Sequence, residues 1–189
     1  MKTATGLLVM WLCAGVLLAA PPSREDELKA AIVFNFLKFV EWPGDSSPTV
    51  TVGLLGKNPL DGALRAFHGR TLGDRRVAVR PIDSAASGGV HCVYIGPSAA
   101  GNVASILKTL GDRSVLTVSD IPRFAEQGGG LGLFREGDRI RFSANLRSLR
   151  SSRLKVSSRL LSLARIVDGS PRGWLHPYHA LHEPTLVTW

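Results

Sequence analysis

Residues 90–118 read VHCVYIGPSAAGNVASILKTLGDRSVLTV, and they hold the architecture in miniature. Val90 to Ile95 is a short apolar run rich in β-branched and aromatic residues, the length of a strand and the composition of a buried one. Ser98 to Leu110 follows with helical spacing and stops at Gly111. Ser114 to Val118 is strand-like again. Strand, helix, strand in this order implies parallel strands joined by a covering helix.

The same alternation extends in both directions. Upstream, Ser23-Arg24-Glu25-Asp26 resembles a capping box, and its acids suit a helix N-terminus. Leu28, Ile32, Phe36, Phe39 and Val40 then recur at helical spacing, with Val33 and Leu37 widening the stripe; Trp42-Pro43 ends it. Thr49 to Leu55 (TVTVGLL) reads as a strand. Pro59 to Phe67 reads as a short helix closed by Gly69, and Arg76 to Ile82 as a strand. Downstream, Ile121 to Gln127 suggests one or two helical turns. Gly130 to Phe134 and Arg139 to Phe142 flank Glu136-Gly137-Asp138 as a hairpin. Leu146 to Arg150 suggests a short helix, and Val156, Leu160, Leu163 and Val167 a final one. The expected fold is a single three-layer α/β domain over 24–167. Its sheet is mostly parallel and flanked by helices, with the late β-hairpin at its edge. Residues 168–189 lack a periodic apolar face and carry Pro171, Pro177 and Pro184, so they read as an extension.

The chain has 189 residues, 23 Lys+Arg against 15 Asp+Glu, and a net charge of +8. Such a balance invites a nucleic-acid partner. The N-terminus argues against one. Lys2 is the only charge before Arg24, and Gly6 to Ala20 is uncharged and mostly apolar, too short for a membrane span. A charged start, a short apolar run and small residues describe a signal peptide over 1–20. An uncleaved anchor is the alternative, because Leu17, Leu18 and Pro21 make an imperfect cleavage site. An exported protein meets no nucleic acid. Removal of residues 1–20 takes Cys13 with it and leaves Cys92 unpaired, in a setting where it acts as a small hydrophobe.

Catalytic signatures fail on inspection. Gly128-Gly129-Gly130 with Gly132 hints at a phosphate loop, but Leu133 occupies the third glycine's place and a strand follows. Ser152-Arg153-Leu154-Lys155 matches S-x-x-K, yet its companion motifs are missing. No enzyme and no cofactor is expected. His176, His179 and His182, three residues apart, are weak metal candidates, since Pro177 interrupts them.

The charge itself is local. Between 139 and 165 lie Arg139, Arg141, Arg147, Arg150, Arg153, Lys155, Arg159 and Arg165, with no acid. A solvated basic surface is one reading; a face for an anionic ligand or an acidic partner is the other. Arg141 alternates with Ile140 and Phe142, and so lies on the opposite sheet face. Arg159 stands beside Ser157 and Ser158 near a helix start, where guanidinium, hydroxyls and backbone N–H groups form an anion pocket. Arg141, Asn145, Ser157 and Arg159 are the candidate ligand or partner site.

Three segments together carry a resemblance. They are Leu28 to Pro43 (LKAAIVFNFLKFVEWP), then Val115 to Asp120 with Phe124 and Gly128–Gly130, then Arg139-Ile140-Arg141-Phe142 with Asn145-Leu146 and Leu154 to Ala164 (LKVSSRLLSLA). In order and spacing the chain resembles the YfiR/HmsC-like exported proteins from about Glu25 to Val167. The resemblance implies a compact α/β fold and a non-enzymatic periplasmic regulator. It implies as partner the periplasmic part of an inner-membrane diguanylate cyclase, held inactive until release raises cyclic di-GMP and favours biofilm. It also implies a homodimer as a common state. Cys92 stands where a family cysteine often lies, but without a partner, which puts a disulfide switch in doubt. A periplasmic module for a small anion or nucleotide, with no cyclase, is the rival reading.

Overall fold

The computed structural model describes residues 23–167. The expected signal segment 1–20 and the expected extension 168–189 with His176, His179 and His182 lie outside the described residues. Helix α1 (Arg24–Leu37) opens on a true capping box: Ser23 Oγ accepts from Asp26 N–H at 3.1 Å, and Asp26 Oδ2 accepts from Ser23 N–H at 3.2 Å. Its buried face is Ala30, Val33, Phe36 and Leu37. The expected stripe is therefore rotated, since Leu28 is 49% exposed. The helix also ends before Trp42-Pro43, because Val40–Glu41 (β1) leaves to pair antiparallel with Lys155–Val156 (β9).

The main sheet begins with β2 (Thr49–Leu55), followed by α2 (Asp61–Arg65), β3 (Thr71–Leu72) and β4 (Arg75–Ile82). Then come β5 (Cys92–Ile95), a 3-10 turn over Pro97–Asn102, α3 (Val103–Leu110) and β6 (Leu116–Ser119). The hairpin is β7 (Leu131–Glu136) and β8 (Arg139–Asn145); α4 (Leu146–Ser151), α5 (Ser158–Leu161) and β10 (Arg165–Val167) close the chain. Strand order is β10-β8-β7-β6-β5-β2-β4-β3, mostly parallel, with antiparallel pairs at β3–β4 and β7–β8. The expected mixed α/β single domain is what forms. The late hairpin stands next to the end of the sheet, with only the three-residue β10 beyond it among the described residues.

Both faces of the sheet are covered, which explains the unbroken apolar runs in the central strands. Val50, Val52 and Leu54 of β2 and Cys92 and Tyr94 of β5 join the core under α1 and α2. Their neighbours Leu55, Val93 and Ile95 join the core under α3, with Val103, Leu110 and Phe124. The period of two sorts each strand between two cores.

Two expected helices do not form as such. Ile121 to Gln127 is a string of turns, with Phe124 buried. Val156 to Val167 is split into β9, the four-residue α5 and β10. Leu160 is buried, but Leu163 on the supposed stripe is 69% exposed. The open edge of β8 recruits the β-branched Ile166-Val167 into a parallel strand, where backbone pairing outweighs a marginal helix.

Candidate functional site

Pairing of β1 with β9 brings the end of α1 against the start of α5. Val40 faces Val156 and Glu41 faces Lys155, and Ser157 N–H donates to the Phe39 carbonyl at 2.9 Å. A groove of about 470 Å³ runs beside this ribbon, lined by Lys38, Phe39, Glu41, Lys155, Val156, Ser157 and Arg159. Three cations face one acid. Phe39 supplies half-buried apolar surface between them. A second groove, of about 410 Å³, shares Lys38 and Glu41 and extends to Trp42, Asp45, Asp74 and Arg75.

A polar cluster underpins the second groove. His91 Nδ1 accepts from Thr51 N–H at 3.0 Å, so its proton sits on Nε2, which lies 2.9 Å from Asp45 Oδ2. Arg75 Nη2 reaches the same oxygen. Trp42 Nε1–H donates to the His91 carbonyl at 2.9 Å, and its ring meets the imidazole edge-on at 5.8 Å. Burial pushes His91 below its ordinary range, opposed by Asp45 and aided by Arg75. The contact to Asp45 is thus a hydrogen bond from a neutral ring. Desolvation would raise the Asp45 carboxyl, but the Ser47 N–H, Arg75 and His91 together hold it below the usual carboxylate range. Arg75 Nε is buried with no hydrogen-bond partner among the described residues.

The four residues singled out from sequence separate. Ser157 and Arg159 share the ribbon groove, where Ser157 Oγ caps α5 by accepting from Arg159 N–H at 3.3 Å. Arg141 is exposed on β8 and lies 3.3 Å from Glu136 Oε2. Asn145 is 2% exposed and already engaged: Nδ2 donates to the Ala125 carbonyl at 2.8 Å, and Oδ1 accepts from Ser148 N–H at 3.0 Å, capping α4. It borders a separate pocket of about 210 Å³ with Thr117, Arg147 and Ser148. The basic run 139–165 is therefore divided among the hairpin, α4 and the ribbon groove.

Sequence reasoning missed Lys38, Phe39 and Glu41 as members of the groove. The two-residue strands that recruit them have no periodicity to read; their place within the Leu28–Pro43 segment was the available signal. It also missed a network at the carboxyl ends of β5 and β6. Tyr94 Oη donates to Asp120 Oδ1 at 2.7 Å, and Lys29 Nζ lies 3.0 Å from both Asp120 Oδ2 and Glu25 Oε1. Desolvation works against the Lys29 charge, but Glu25 and Asp120 prevail and raise its pKa; burial and Asp120 raise that of Tyr94.

The glycine run does not cradle phosphate. Gly128 N–H bonds Ala125 O at 3.1 Å, Gly129 N–H bonds Phe124 O at 3.0 Å, and Gly130 N–H bonds Thr117 Oγ1 at 2.8 Å. A Cβ at Gly129 would run into the Phe124 ring. Close packing against that ring is what calls for glycine here. Cys92 is fully buried with a free thiol, pushed up to about 12 by desolvation, and so is chemically quiet.

The profile of the YfiR/HmsC-like family matches residues 26–165, which include α1 from Asp26, the main sheet up to Arg165 and the ribbon groove. The chain belongs to the YfiR/HmsC-like family. No curated protein matches it. This family is periplasmic, regulatory and non-catalytic, and membership points to a regulator of diguanylate cyclases.

Proposed function

We propose that the protein is a periplasmic, non-enzymatic regulator. It binds the periplasmic sensor part of an inner-membrane diguanylate cyclase and represses it, so that its release raises cyclic di-GMP and favours biofilm. Membership of the family over residues 26–165 carries the reading. The ribbon groove supports it with a surface of suitable chemistry: Lys38, Lys155 and Arg159 around Phe39 suit an acidic, partly apolar protein segment. Arg141 adds a further exposed cation on the hairpin. Export through residues 1–20, with an uncleaved anchor as the alternative, would place the domain beside such a partner.

The test is complex formation with the periplasmic sensor domains of the inner-membrane diguanylate cyclases of the same organism, at low salt and in both redox states. A complex that weakens with salt and with Lys155→Glu/Arg159→Glu supports the reading. Recovery of no complex sinks it. Both side chains are exposed, and circular dichroism checks the fold of the double reversal; Arg159→Glu alone, which keeps Lys155 opposite Glu41, is the second variant and should also weaken the complex.

A second reading rests on the same groove. Lys155 and Arg159 beside Ser157 also suit a small anion or a mononucleotide, and the domain then works as a binding module without a cyclase. Calorimetry with phosphate and with a mononucleotide, in the absence of any cyclase, separates the two. A homodimer is compatible with either reading, and light scattering decides it.

A further inference from the structure

The sheet grows from β2 in two directions. The chain adds β4 on one side and then crosses to place β5 on the other. In open α/β sheets the carboxyl ends of the strands at such a reversal are where ligands lodge. Here a cavity of about 500 Å³ opens at that place, between the ends of β2 and β4 and the start of α3. Leu55, Ile82 and Ile106 form its apolar floor.

Its walls are held in place. Ser98 Oγ accepts from Lys57 N–H at 2.8 Å and so ties the loop after β2 to the 3-10 turn. A Cβ on Gly56 would come within 2.8 Å of the same Ser98 oxygen, so the two loops meet at close range. Arg113 directs Nη1 and Nη2 to the carbonyls of Ala85 and Ser87, at 2.9 and 3.0 Å, and Ser84 Oγ accepts from Ala86 N–H at 3.1 Å. These bonds fix the loop that bears Asp83.

Three polar groups on the rim remain uncommitted among the described residues. Asn102 stands at the cap of α3 but makes no side-chain cap bond. Ser105 contributes its carbonyl to Thr109 Oγ1 and leaves its own hydroxyl free. Asp83 has no ion-pair partner, and it is the only charged side chain among the lining residues. In a protein of net charge +8, the lining of this cavity carries one negative charge, while the Arg113 guanidinium behind it is committed to the carbonyls of Ala85 and Ser87. The carboxylate favours a cation over an anion: an ammonium group gains a carboxylate and acceptor oxygens at one end and an apolar floor along its body.

We infer that this cavity binds a small amine cation with an aliphatic body, of the size and chemistry of a short primary alkylamine. The site is distinct from the ribbon groove and does not depend on the cyclase reading.

The experiment is calorimetry on the full chain with 1-aminobutane, its neutral counterpart 1-butanol, and the anion butanoate. The expected result is saturable binding of the amine, at least tenfold weaker binding of the alcohol, and none of butanoate. Asp83→Asn is expected to weaken the amine at least tenfold, and Ser105→Trp, on the exposed face of α3, to block it. Circular dichroism checks that both variants are folded. Absence of amine binding, equal affinity for the alcohol, or an amine affinity unchanged by the two substitutions would overturn the assignment.

Discussion

Lys29 is the residue whose removal tests the description of the interior most sharply. Its ammonium sits between Asp120 and Glu25 with a side-chain exposure of 15%, and Asp120 is at 10%. Lys29→Met keeps most of the aliphatic stem and deletes the charge. Asp120 then retains the Tyr94 hydroxyl as its side-chain donor. Breaking a buried pair costs about 3–5 kcal/mol, because it strands the remaining charge. The residual solvent contact lowers that to about 2–3 kcal/mol, and Glu25, 40% exposed, adds little. For a domain of this size such a loss is a fall in Tm of about 5–10 °C. Urea melts at pH 7 give the difference directly. The double variant Lys29→Met/Asp120→Asn removes the stranded charge with its partner, so its cost should be smaller than the sum of the two single costs. The raised Lys29 pKa sets the pH window. Its contribution is complete below the ordinary lysine value near 10.5 and is lost as pH climbs through the higher folded value. A cost below about 1 kcal/mol would put the pair among solvated surface contacts and refute this account of the network.

Other outcomes are expected at four residues. His91 is held neutral, so its share of stability is present above the ordinary histidine value near 6.5 and falls away as pH drops below it; His91→Gln should flatten that slope between pH 7 and 5 in urea melts. The Asp45 contribution, from a depressed carboxyl, is lost only in a separate window below about 3.8. Asn145→Ala removes a helix cap and a buried hydrogen bond, and should cost about 2–3 kcal/mol of stability while leaving ligand or partner affinity unchanged; a selective loss of affinity with full stability would return Asn145 to the binding site. Cys92 should resist a thiol reagent in the native protein at pH 8 and react at the rate of global unfolding, as mass spectrometry after timed labelling would show.

Elements that carry their own signal were legible. Thr49–Leu55 is a strand residue for residue as expected, because a β-branched run with flanking turn residues has no helical alternative. The Glu136-Gly137-Asp138 hairpin forms, with Gly137 at φ +58° supplying the turn that its flanking strands need. The capping box of α1 fixed that helix's start, but its end depended on β9, more than a hundred residues away. Val156, Leu160, Leu163 and Val167 had helical spacing, yet Val167 joined the strand Arg165–Val167, since the spacing of four residues weighs less than an unpaired sheet edge.

The candidate site divides the same way. Ser157 and Arg159 were found because neighbours in the chain share a helix start. Arg141 and Asn145 were joined to them by proximity in sequence, and the fold parts them: one faces solvent on the hairpin, the other is consumed as a buried cap. Lys38, Phe39 and Glu41 arrive from the far end of the chain through two residue pairs of a short ribbon.

Periodicity along the chain established the α/β class and the positions of most central strands, because burial on two faces is written into consecutive apolar residues, while three motif segments carried the resemblance to the family. Only tertiary contact decided which charges share a surface, which polar side chains are already spent on the backbone, and where cavities open. Those properties depend on pairings between distant segments, and no local pattern encodes them.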